Sequence, residues 1–168
     1  MRIKQGYGPV KLYVNGQTHT VLARPSDVLL DVLREKLGLT GCKSGCKNGD
    51  CGACTIVMNG WPIKSCLVLA VEAEGHEILT VEGLENTPLQ QAFIDCRAFQ
   101  CGYCTSGFLM ASYALIQQQP DADEYEMEHW LQSNICRCTS YAEIRQALGQ
   151  VIPTTLLPEK QGDLSKEA

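Results

Sequence analysis

The chain predicts an α+β protein in two parts: an N-terminal sheet domain of the β-grasp type and an all-α four-helix bundle after it. Three observations carry this. Asn15-Gly16 and Asn59-Gly60 each follow a short β-branched run, as tight hairpin turns do. From Thr87 onward the pattern turns helical, with helix-start signals at Thr87, Asp121 and Ser140. Eight of the ten cysteines fall into two quartets, one in each part.

Val10 to Val14 is the first strand, Asn15-Gly16 its turn, and Thr18 to Leu22 the return strand. Ser26 is the expected cap of a helix from about Asp27 to Leu37. Val28, Leu29, Val32, Leu33 and Leu37 form its apolar stripe, and Gly38 is its stop. A loop rich in cysteine and glycine runs from Gly41 to Cys54. Thr55 to Met58 is a strand, Asn59-Gly60 a second turn, and Ile78 to Val81 the last strand.

Thr87 is the next helix cap, with Pro88 at the first helical position and Gln90 completing a capping box. That helix reaches about Arg97. A strongly apolar helix follows from about Ser106 to Gln118 and stops before Pro120. Asp121 with Glu124 starts a third helix, to about Ser133. Ser140 with Glu143 is a capping box for a fourth, to about Val151. The boundary falls near Gly83 to Asn86. The predicted units are therefore residues 1–83, residues 84–153 and a polar tail, 154–168.

The 168 residues are 45% hydrophobic and 20% charged, as in an ordinary globular protein. The formal net charge is −5, and the basic residues form no stripe. This argues against nucleic acid or an anionic membrane as a partner. No run of about 18 apolar residues is present to span a bilayer. Met1 to Pro9 lacks the apolar core of an export signal, so a cytoplasmic location is expected. In that compartment ten cysteines point to metal binding and not to disulfides.

The first quartet is Cys46, Cys51, Cys54 and Cys66, spaced C-x4-C-x2-C-x11-C. Thiolate is a soft ligand, and the C-x4-C-x2-C start is the plant-type ferredoxin spacing for a [2Fe–2S] cluster. Gly45, Gly49 and Gly52 let the chain turn back repeatedly and aim N–H groups at the sulfurs. Structural zinc more often takes two separate CxxC knuckles, which this loop does not supply. The second quartet is Cys101, Cys104, Cys136 and Cys138, a CxxC and a distant CxC. Both lie in loops between predicted helices, so one end of the bundle can gather them. On spacing alone zinc competes with a second [2Fe–2S] cluster here.

Residues Gly41 to Thr55, GCKSGCKNGDCGACT, with Ser65-Cys66-Leu67, resemble the ferredoxin-type domain of the molybdenum hydroxylases. Gln100 to Gly107, QCGYCTSG, and Asn134 to Tyr141, NICRCTSY, resemble that family's second cluster domain. The likeness spans residues 10 to 152 and matches a separate iron–sulfur small subunit. The family includes xanthine dehydrogenases, aldehyde oxidoreductases, carbon monoxide dehydrogenases and N-heterocycle hydroxylases.

The resemblance implies two [2Fe–2S] clusters on this chain. It also implies molybdopterin on a large partner subunit and FAD on a medium one. Electrons would pass from the molybdenum centre to the helical-domain cluster, then to the ferredoxin-like cluster, then to FAD. By the same resemblance, Cys101, Cys104, Cys136 and Cys138 hold the cluster nearer the pterin. Cys46, Cys51, Cys54 and Cys66 hold the one nearer the flavin. Gln100 matches a pterin-contacting glutamine, and Cys104 the ligand whose sulfur lies close to the pterin. Ser106 stands where the family has proline, and Ser133 and Ser140 where it has glycine.

Two cysteines are left over, and buried thiols are the expectation for both Cys42 and Cys96. Tyr103 is expected to pack. Arg137, between two thiolates, either raises a cluster potential or forms a surface ion pair. No Ser/His/Asp set, phosphate-cradling loop or carboxylate pair is present, so substrate chemistry belongs to another chain. Two alternatives remain open on the sequence: a free-standing two-cluster ferredoxin, and a zinc-stabilised interaction module.

Overall fold

The structure, a computed structural model, describes residues 6–152. The tail at 154–168 and the residues before 6 lie outside that range. The N-terminal part is a five-stranded mixed sheet in the order β2-β1-β5-β3-β4. Strands β1 (Gly8–Val14) and β2 (Gln17–Ala23) form the first hairpin, and β3 (Thr55–Met58) and β4 (Trp61–Lys64) the second. The central strand, β5 (Glu77–Leu79), runs parallel to β1 and antiparallel to β3.

Three residues make a short central strand, and the tips of both hairpins secure it. Asn15 and Asn59 take left-handed φ values of 50° and 51°, as a tight hairpin with a following glycine requires. Asn15 N–H donates to Ile78 O at 2.9 Å, and Asn59 N–H to Glu77 O at 2.9 Å. Their side-chain oxygens accept from the main chain of Thr80 and Glu77, both at 2.8 Å. The Asn-Gly pairs therefore set the turns and also anchor the strand between them.

Helix α1 (Leu29–Asp31) passes directly into a π-helical turn, Val32–Lys36, and closes at Gly38, whose φ is +72°. Leu39 N–H bonds Leu33 O across that stop. The sequence expectation of a Ser26 cap fails here. Val28 is the extended residue before the helix, held in a β-bridge to Leu69. Ser26 instead lies inside a tight turn closed by Asp27 N–H on Arg24 O. The Asp27 carboxylate caps that turn, accepting from Arg24 N–H at 3.0 Å and from Lys36 at 3.1 Å.

The sheet is covered on both faces. Ile56 faces the core formed with Leu12, Leu29, Leu33 and Ile78. Its neighbour Val57 faces the other way, into the helical core of Phe93, Phe108, Leu115, Ile144 and Leu148. A strand buried on both sides reads as a continuous apolar run, which explains the Thr55 to Met58 pattern.

The C-terminal part holds α2 (Pro88–Asp95), α3 (Thr105–Gln118), α4 (Glu124–Leu131) and α5 (Tyr141–Val151). The Thr87–Gln90 capping box forms as expected. The cap of α4 is Asp123, which accepts from Glu126 N–H at 2.8 Å, and not Asp121. An equivalent Asp two residues further on won because the turn after Pro120 uses the intervening residues. Ser140 does cap α5, but the expected box is incomplete: the Glu143 carboxylate meets the Ser140 hydroxyl, not its main chain.

Candidate metal centres

The first quartet lies in the loop between α1 and β3 and just past β4. Cys54 and Cys66 are buried, while Cys46 and Cys51 are half-buried. Cys51 N–H points at Cys46 Sγ at 3.4 Å. The N–H groups of Cys51 and then Asn48 hold the Cys46 thiol down at about 7. Burial, followed by the neighbouring Cys54 thiol, pushes Cys66 up to about 11.

The second quartet gathers at one end of the helical part. Cys104 is the residue before α3, and Cys136 and Cys138 lie between α4 and α5. Cys101 and Cys138 are exposed, with sulfurs 3.5 Å apart. Burial first, then the neighbouring Cys136 thiol, pushes Cys104 up to about 12. Tyr103 N–H, then the Cys138 thiol, draws Cys101 below its ordinary value. Thr139 N–H points at Cys136 Sγ at 3.3 Å.

This donor set fits a binuclear cluster. Four thiolates can be shared between two irons, and main-chain N–H groups aimed at sulfur, as at Cys46 and Cys136, stabilise the anionic centre.

The two loops are hydrogen-bonded to each other. Ile135 N–H donates to Cys51 O at 2.9 Å, and Asn134 Nδ2 to Gly52 O at 3.2 Å. Tyr103 Oη donates to Ser44 O at 3.0 Å, so this residue bridges the loops and does not merely pack. Lys64 Nζ donates to Thr55 Oγ1, Ser133 O and Asn134 Oδ1 at 2.8–2.9 Å. A Cβ on Gly52 would stand 2.3 Å from Asn134 Oδ1, so the approach requires glycine there. Tyr141 Oη accepts from Cys136 N–H and donates to Asn134 O, both at 3.1 Å.

Sequence reasoning missed Lys64, Asn134 and Tyr141 as working residues. The only signal was position: Lys64 and Asn134 each lie two residues before a cysteine of a quartet. Of the leftover thiols, Cys42 is buried at 1% exposure, and burial, then the Glu82 charge, raises it to about 12. Cys96 is half-buried and not enclosed, because it is the residue that ends α2. Arg137 is exposed and forms no ion pair among the described residues. Gln100 is exposed beside Cys101. Ser140 has φ −85°, and Ser133 has no positive φ, so neither position needs the glycine of the resemblance.

Two family models match the chain. A 2Fe-2S iron-sulfur cluster binding domain covers residues 12–80, and a [2Fe-2S] binding domain covers 80–149. The nicotinate dehydrogenase small FeS subunit of Eubacterium barkeri is 41% identical over 143 residues, covering 83% of this chain and 91% of that protein. The aldehyde oxidoreductase iron-sulfur-binding subunit PaoA of Escherichia coli (strain K12) is 41% identical over 159 residues, 83% of this chain and 69% of its own. In the crystal structure of quinoline 2-oxidoreductase from Pseudomonas putida 86, one chain superposes with a TM-score of 0.83 at 39% identity, covering 88% of this chain and 93% of that one.

The chain belongs to the family of iron–sulfur small subunits of molybdenum hydroxylases.

In the aldehyde oxidoreductase of Desulfovibrio desulfuricans the same fold, at a TM-score of 0.80 and 37% identity, is 16% of a longer chain. A small subunit of this family is the iron–sulfur part of a molybdenum-containing oxidoreductase. Both halves of this chain are [2Fe–2S] domains, which sets aside the zinc module. No helix among the described residues is long and apolar enough to cross a membrane.

Proposed function

We propose that this chain is the electron-transfer subunit of a multi-subunit, molybdopterin-dependent hydroxylase or dehydrogenase of xanthine dehydrogenase type. It passes electrons from a molybdenum centre on the large subunit, through its two clusters, to FAD on a medium subunit. Cys101, Cys104, Cys136 and Cys138 hold the cluster nearer the pterin, with Gln100 and Cys104 closest to it. Cys46, Cys51, Cys54 and Cys66 hold the cluster nearer the flavin. The functional units are residues 1–83 and 84–153 with a polar tail, and the complex is cytoplasmic, with no role for nucleic acid or membrane.

When bound, each cluster supplies a reversible one-electron capacity. The protein's part is to hold the two centres in fixed contact. The observation that carries this is the Ile135 N–H bond to Cys51 O, which joins the main chain next to Cys136 to a cysteine of the other quartet. Buried Asn134, held by Lys64 and bonded to Gly52, keeps that bond in register. Around the exposed Cys101 and Cys138, the side chains of Phe99, Tyr103 and Ile135 are themselves exposed. Apolar surface of that kind around a redox centre favours burial against a partner.

The test is purification with the chain tagged, followed by low-temperature EPR after reduction by dithionite. Larger molybdenum and flavin subunits should co-purify, and two distinct S = 1/2 signals of about one spin each should appear. A chain that is monodisperse alone, with both signals, would be a free-standing two-cluster ferredoxin instead.

A further inference from the structure

We infer that the hydroxyls of Thr105 and Ser106, in the first turn of α3, donate hydrogen bonds to sulfur of the second cluster and raise its potential. The inference rests on the cluster reading above.

Thr105 and Ser106 follow Cys104 directly and open α3, a helix of 14 residues. Both hydroxyl oxygens are shut off from solvent, and neither has a hydrogen-bond partner among the described residues. A buried hydroxyl left unpaired is costly, and each such group calls for an explanation. Here two stand on consecutive residues beside a thiol of the quartet. The main-chain acceptors around them are in use. Gly52 O, against which Gly107 packs, already accepts from Thr55 N–H at 3.0 Å, Thr55 Oγ1 at 2.7 Å and Asn134 Nδ2 at 3.2 Å. Gly102 O takes Thr105 N–H at 3.3 Å, and Cys104 O takes Phe108 N–H at 3.1 Å.

In a helix every Cα–Cβ bond tilts toward the N-terminus. The two side chains therefore lean back toward Cys104 and the end of the bundle where the Cys101 and Cys138 sulfurs lie 3.5 Å apart. Sulfur of a [2Fe–2S] centre accepts hydrogen bonds, and these help set its potential. Ser112 is the contrast on the same helix. Its hydroxyl is also unpaired, at 0% exposure, but it lies six residues past Ser106, about 9 Å further along the axis. Ser106 stands where the resemblance puts proline, so one of the two donors is particular to this chain.

The consequence is directional. A four-thiolate centre carries about −2 when oxidised and about −3 when reduced. A donor aimed at its sulfur stabilises the reduced form more than the oxidised one. The electron arrives from the molybdenum centre of the large subunit and leaves toward the first cluster. No covalent bond changes, and the hydroxyl protons stay on oxygen.

The test is an EPR-monitored redox titration of the intact complex, with electron–nuclear double resonance of the reduced second cluster in H2O and D2O, and iron content as the check on occupancy. The double variant Thr105→Val with Ser106→Ala should move the second cluster's midpoint negative. The expected change is at least tenfold in electron partition, or about 59 mV for one electron. The wild-type cluster should show an exchangeable proton coupling that the double variant lacks. Thr105→Ser, which keeps the hydroxyl, should keep the wild-type midpoint. Ser112→Ala should leave both midpoints in place and raise the melting temperature.

An unmoved midpoint in the double variant would overturn the inference. So would identical exchangeable couplings in the two proteins, an equal shift in Ser112→Ala, or loss of second-cluster iron from the double variant, because the hydroxyls would then serve the fold alone. A wild-type complex lacking two signals would instead overturn the cluster reading and this inference with it.

Discussion

Gly107, in the first turn of α3, lies so close to Gly52 that a Cβ on it would stand 2.3 Å from the Gly52 carbonyl oxygen. The same Cβ would meet Asn134 Nδ2 at 2.6 Å. Three segments thus meet at one point: the first cysteine loop, the start of α3 and the stretch before Cys136.

Gly107→Ala should therefore force main chain apart. Overpacking of this kind costs about 1–3 kcal/mol. Each kcal/mol lowers the melting temperature by about 2–4 °C at this size. Gly149→Ala is the contrast, since nothing lies within 4 Å of a Cβ there and the residue is inside α5. It should stabilise by about 0.5–1 kcal/mol through helix propensity. Thermal melts of the two variants should move in opposite directions; movement the same way would contradict the close-approach account.

Serine at a quartet position should silence one centre and spare the other. Cys54→Ser should remove one EPR signal and Cys138→Ser the other. Iron should fall in each from about four atoms per chain to about two. A single substitution that abolished both signals would show that the two centres do not assemble independently.

Cys42 should behave as a buried bystander. Cys42→Ala should leave both signals and the iron content unchanged. The thiol is raised to about 12 by burial, then by Glu82, so it stays neutral and unreactive through the physiological range. In the folded complex, iodoacetamide at pH 8 should leave Cys42 unlabelled, with labelling rising only toward pH 12 or on unfolding. Rapid labelling at pH 8 would place the thiol at the surface.

Tyr141 should stabilise the second loop through its hydroxyl. Tyr141→Phe keeps the edge-to-face packing on Phe108, whose ring centroid is 5.8 Å away. It leaves Cys136 N–H without its acceptor. A loss of about 1–3 kcal/mol follows from an unsatisfied main-chain donor. Chelator challenge should strip iron faster from the second centre than from the first. Equal rates at both centres would remove Tyr141 from its role in that loop.

Much of the site was legible one residue at a time. Cysteine spacing, the interleaved glycines and the Thr87-Pro88-Gln90 signal are local chemistry, and each appears in the structure where local chemistry puts it. The caps that moved were also local. Ser26 lost to a bridge between Val28 and Leu69, a contact forty-one residues apart that no short window contains. Asp121 lost to Asp123 because two equivalent acids stood within reach of one helix start.

By itself, the sequence determined that this chain is an α+β protein with two cysteine quartets, in a family whose members carry [2Fe–2S] domains. Ligand spacing, turn residues and helix caps are short-range, so their physics is complete within a few neighbours. Only the tertiary structure decided that the loops of the two quartets touch through Ile135 and Cys51. It also decided that Lys64, silent in the sequence, reaches across to Ser133 and Asn134 in the stretch before Cys136. Those relations join residues up to eighty-odd positions apart. Burial on both faces of β3 and the close approach at Gly52 and Gly107 bring them together, and no periodicity or spacing encodes either.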